Sequence, residues 1–113
     1  MKYGRYKVTK TADGAGKIEV FINKTMDIRV VTSYVTLPAY TSNVVRDVSL
    51  ERTDGTILGE EKAAYKTSEA CSLVFSDSFM LPHFDPLLVV DTRTVSANSD
   101  ITLEIIYEEV EMV

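Results

Sequence analysis

The stretch 101–110 limits the fold of this chain more than any motif does. Ile101, Leu103, Ile105 and Tyr107 alternate with Thr102, Glu104 and Glu108. A period of two is the mark of a strand with one face buried and one face wet. The same alternation recurs at Ile18, Val20 and Ile22, at Val48 and Leu50, and at Leu73 and Phe75. No segment of comparable length shows an apolar stripe at helical spacing.

Reading the whole chain this way predicts eight short strands, over residues 3–10, 17–23, 28–37, 44–52, 56–59, 71–76, 87–91 and 101–108. Turn formers separate them: Asp13-Gly14-Ala15-Gly16, Pro38, Asp54-Gly55, and the pair Pro82 and Pro86. Asp54-Gly55 suits a two-residue type I′ hairpin. Residues 60–70 contain good helix formers without an apolar stripe, so a loop or a single turn is expected there. Leu87-Leu88-Val89-Val90 is unbroken, which predicts burial on both faces. Eight short antiparallel strands predict an all-β, jelly-roll-like sandwich, and a chain of 113 residues predicts one domain over 1–113. Its expected core is Ile18, Val20, Val48, Leu73, Phe75, Leu103 and Ile105.

Phe21, Val31, Val35, Val45, Val74 and Ile106 fall on faces that the alternation assigns to water. Either a β-bulge shifts the local facing, or neighbouring subunits bury a second surface. The loop 77–86 poses a similar choice. Phe79, Met80, Leu81 and Phe84 are either interface anchors or a lid folded over one end of the sandwich. Tyr34 and Tyr40 are expected to cap the core at a sheet end, or to serve as aromatic platforms. The interface candidates are therefore Tyr34, Tyr40, Phe79, Met80, Leu81, Phe84 and Ile106.

Charge restricts the partners. Twelve basic residues against seventeen acidic give a net charge of −5, and the bases are spread along the chain. Nucleic acid is not an expected partner, because phosphate contacts need clustered Lys and Arg. The acidic end, Glu104, Glu108, Glu109 and Glu111, is either a solvated face or a surface for a basic partner. No apolar run approaches the roughly 20 residues that span a bilayer, so no membrane partner is expected. No signal peptide is read in the first residues, which predicts synthesis in a cytoplasm.

Chemical signatures are sparse. Cys71 is the single cysteine and His83 the single histidine. A Cys71–His83–Asp85 set lacks any basic cluster to lower the thiol pKa, so His83 is assigned no proton-transfer role. One His with Asp77 and Asp85 is too few ligands for structural zinc. No catalytic residue, metal or cofactor is predicted. Carbohydrate binding would need aromatic platforms; the chain has no Trp and offers Tyr34, Tyr40, Tyr65 and Phe84.

The chain resembles the small β-sandwich virion proteins of tailed bacteriophages, the cement or decoration proteins that clamp capsid subunits. The resemblance lies in size, the all-β pattern, Phe79-Met80-Leu81-Pro82 leading into the 87–90 strand, and a closing strand that ends in Tyr107-Glu108-Glu109-Val110. It implies a non-enzymatic structural role in a virion made in a host cytoplasm, homo-oligomerisation, and viral capsid proteins as partners. The alternative is a small ligand-binding module, with carbohydrate as its ligand, on a tail or fibre.

Overall fold

The computed structural model describes residues 3–22, 27–39, 44–65, 69–82, 85–92 and 95–110. Among these residues nine strands form in chain order: β1 (Tyr3–Thr11), β2 (Lys17–Val20), β3 (Ile28–Leu37), β4 (Val44–Glu51), β5 (Ile57–Tyr65), β6 (Cys71–Phe75), β7 (Phe79–Leu81), β8 (Leu87–Asp91) and β9 (Asp100–Glu109). Among the described residues there is no helix, and so none long and apolar enough to cross a membrane.

The pairing is that of one long ribbon rolled on itself. β1 pairs with β9, β2 with β8, β3 with β6 and β4 with β5, all antiparallel. The tip of the ribbon is the turn between β4 and β5. Rolling then brings β9 beside β3 and β8 beside β4. Two sheets result, β1-β9-β3-β6 with β7 also on β3, and β2-β8-β4-β5. With β7 set aside this is the eight-stranded jelly roll that the strand count predicted.

The additional strand, β7, is half of a divided lane. β6 flanks Ser33–Leu37 of β3, and β7 flanks Ile28–Val30. Between them residues 76–78 leave the sheet, and β3 answers with a register shift between Val30 and Thr32. That bulge decides the core. Ile28 and Val30 point inward before it; Ser33, Val35 and Leu37 point inward after it. Unbroken alternation from Val30 would have turned Thr32, Tyr34 and Thr36 into the core instead. Val35, expected on the wet face, is thus fully buried.

The sandwich interior is apolar apart from buried polar residues such as Ser33. Ile18, Val20, Val48, Phe75, Leu103 and Ile105 are buried as expected, joined by Leu37, Leu50, Leu81, Leu87, Val89 and Ile101. Leu73 is half-buried and packs against this cluster. Of the unbroken apolar run, Leu87, Leu88 and Val89 are buried, while Val90 is half-buried, so burial on both faces holds for the first three residues.

Three local expectations change. The segment after the Asp54-Gly55 turn is a full strand to Tyr65, because register with β4 outweighs the helix propensity of Glu60-Glu61-Lys62. Phe79–Leu81, expected as loop, is β7. The turn itself is not type I′. Gly55 N donates to Arg52 O at 3.0 Å, Arg52 N donates to Thr56 O at 2.9 Å, and Gly55 alone in the turn takes a positive φ, of 90°. This is the three-residue loop in which a left-handed glycine follows a type I turn. Asp54 accepts a hydrogen bond from Thr56 N at 2.9 Å. Hydrogen bonds from the Thr56 side chain, then from its backbone, hold the Asp54 carboxyl below its ordinary pKa.

Candidate interface on the outer face of the five-stranded sheet

Residues directly opposite one another in an antiparallel sheet share a face, so register alone maps the outer surface of the larger sheet. Tyr3, Glu108, Arg29 and Met80 form one row across β1, β9, β3 and β7. Arg5, Ile106 and Thr32 form the next. Lys7, Glu104, Tyr34 and Val74 form a third, and Thr9, Thr102, Thr36 and Ser72 a fourth. Three predicted interface residues from three strands therefore lie on one surface: Tyr34, Met80 and Ile106.

The apolar residues of that surface are open to water at its margins and half-covered at its centre. Tyr3 is 68%, Val74 54% and Met80 41% exposed. Ile106 and Tyr34, on the two central strands, are half-buried. Two pairs of opposite charges meet across strands in the same face. Arg29 contacts the Glu108 carboxylate, and Arg5 Nε lies 4.0 Å from Glu104 Oε2. Glu108 is almost wholly buried; one oxygen faces Arg29, while Oε2 has no hydrogen-bond partner among the described residues. The last row is a band of hydroxyls: Thr9 and Thr102 are hydrogen-bonded at 2.8 Å, and Thr36 and Ser72 lie 3.4 Å apart.

The remaining candidates separate. Phe79 and Leu81 alternate with Met80 and point the other way. Phe79 is half-buried against the core and Leu81 is fully buried, so Leu81 is a core residue rather than a surface anchor. Tyr40, Phe84 and His83 lie outside the described residues. Arg52, which periodicity did not single out, holds the β7–β8 connection. Its Nη2 donates to Met80 O, and its Nη1 lies 3.5 Å from Asp85 Oδ2. Asp85 is thus engaged by the tip of the ribbon. Cys71 is half-buried opposite Leu37.

Other surfaces offer less. The described residues contain no group of three His, Cys, Asp or Glu placed to hold a metal. Asp47, Glu60, Glu61 and Lys62 line a shallow, open groove on β4 and β5. Ile57 is exposed in the smaller sheet's row of Glu19, Leu88, Glu51 and Ile57, and Phe21, just past β2, is exposed as well.

No protein-family model matches the chain, and no curated protein matches it. Among solved structures it is similar to part of an arabinose-bound α-L-arabinofuranosidase, at 15% identity and a TM-score of 0.35, covering 92% of this chain and 17% of that one. It is also similar to part of a chain in a structure of infectious bursal disease virus, Gx strain, at 15% identity and a TM-score of 0.26, covering 98% and 28%. The chain thus spans less than a third of the length of either.

Proposed function

We propose that this chain is a non-enzymatic structural protein of a viral particle, which binds capsid proteins and copies of itself and so stabilises the assembled shell. The observation that carries the reading is the convergence of Tyr34, Ile106 and Met80, with Tyr3 and Val74, on one sheet face. Aromatic residues and Met are enriched where interfaces are driest. Covering a charge costs less when it already has a partner, and Arg29–Glu108 and Arg5–Glu104 are paired within the face. A partner that docks here shifts the assembly equilibrium by mass action.

A second reading has its own support. Tyr34 lies beside the hydroxyl row Thr9, Thr102, Thr36 and Ser72, a combination suited to stacking and hydrogen-bonding a sugar. Sedimentation equilibrium at tens of micromolar, paired with a glycan-binding screen, separates the two. The assembly reading expects a stable oligomer that a Tyr34→Ser, Met80→Ser variant dissociates without unfolding. A monomer that binds oligosaccharides, and loses them with Tyr34→Ser, overturns it in favour of the module.

A further inference from the structure

Strand β1 is an open edge of the larger sheet, and it is unusual in how little closes it. All nine residues are in unbroken register with β9 on one side, and among the described residues no strand lies on the other. It contains no proline and no bulge, and it is long for an edge. Its only defence against pairing is charge: Arg5, Lys7 and Lys10, all exposed, with no acid in the strand. That charge is selective. Pairing β1 with β1 of another copy sets Lys7 against Lys7, or Arg5 against Lys7. An acidic strand meets attraction at the same positions.

The inward residues of β1 add a second requirement. Tyr6 and Val8 pack against the core but stay half-exposed, since β2 beneath the edge is only four residues long. The strand that already fits β1 shows what satisfies both demands. β9 sets Glu104 opposite Lys7, Ile105 opposite Tyr6 and Leu103 opposite Val8. At the far end Lys10 Nζ donates to Glu19 O at 2.7 Å, which ties that end to β2 and leaves Tyr3 to Thr9 as the free length.

We propose that β1 is a docking edge for an extended acidic segment of a partner protein, which adds as a strand with acidic residues opposite Arg5 and Lys7 and aliphatic residues opposite Tyr6 and Val8. The inference does not depend on the virion reading, since it concerns an edge rather than the sheet face.

The test uses two synthetic nine-residue peptides, one alternating Glu and Val and one alternating Lys and Val, titrated against the intact protein. Amide exchange is followed in parallel. The acidic peptide is expected to bind at least tenfold tighter than the basic one, to weaken as salt rises, and to protect amides within 3–9. Arg5→Glu with Lys7→Glu should invert the preference. Lys7→Gln, which leaves the Arg5–Glu104 pair in place, should weaken the acidic peptide severalfold at an unchanged melting temperature. Equal binding of the two peptides, no binding of the acidic one, or protection confined to β5 or β6 overturns the proposal. A dimer held through β1 that excludes both peptides also overturns it, because the occupant is then a second copy.

Discussion

Ser33 offers a test in which the fold predicts a gain rather than a loss. The bulge in β3 turns Ser33 inward, between Phe75 on β6 and Ile105 on β9. The residue is fully buried, and its Oγ has no hydrogen-bond partner among the described residues. A buried hydroxyl without a partner costs about 1–3 kcal/mol of desolvation. Ser33→Ala removes that cost and leaves a void smaller than a methyl group, whose penalty is under ~1 kcal/mol. The net expectation is a gain of about 1 kcal/mol, and a melting temperature higher by about 4 °C for a domain near this size. Urea unfolding should show a higher midpoint at an unchanged slope, since the surface exposed on unfolding hardly changes. A fall of about 1 kcal/mol would mean that Oγ is bonded after all, and would refute the reasoning.

Leu103→Ala, at the centre of the core, should cost roughly 2–5 kcal/mol in the same assay; a neutral result would remove Leu103 from the sandwich interior. Gly55 and Gly14 both have open space where a side chain would grow, but only Gly55 has a positive φ. Gly55→Ala should therefore destabilise by roughly 1 kcal/mol or more and Gly14→Ala should stabilise by about 0.4–1 kcal/mol, and calorimetry that ranks them the other way would refute the turn geometry. The Asp54 carboxyl is held low in the folded state by Thr56, so it contributes stability that is complete above the unfolded-state pKa of about 4 and is lost as pH falls through the lower folded value. Urea midpoints of wild type and Asp54→Asn should accordingly differ at neutral pH and converge on acidification. Arg52→Ala should speed amide exchange in Met80 and Asp85 and leave β9 protected; unchanged exchange would show that the guanidinium does not hold that connection.

Strand positions were legible because most strands here bury one face, and a buried face writes itself as alternation. β9 is the clearest case: it lies in mid-sheet, its inner residues are Ile101, Leu103 and Ile105, and its outer ones are Thr102 and Glu104. β3 was half legible. Its residues are β-branched on both sides of the ribbon, so periodicity located the strand but not the bulge that reverses its facing after Val30. β5 past Gly59 was hidden because helix-forming side chains sit where long-range pairing, not local preference, fixes the backbone. The candidate face was the least accessible. Tyr34, Met80 and Ile106 were each conspicuous as bulky residues, but their meeting depends on two cross-strand registers, β3 with β9 and β3 with β7, that no local pattern encodes. Arg52 gave no signal at all, since its role comes only from the tip of the ribbon reaching the β7–β8 connection.

The seating of β9 between β1 and β3 also governs the order of assembly during synthesis. β1 and β3 are made early, yet the lane that joins them is the ninth strand to leave the ribosome. Until then both present unpaired edges, and β1 carries the charges that discourage it from joining another nascent copy. Closing the larger sheet requires pairing residues nearly a chain length apart, as in Tyr3 with Glu108, which places folding among the slow, non-local cases of milliseconds to seconds. Arg5 and Lys7 on the β1 edge therefore also disfavour pairing between two copies in which β9 is not yet seated.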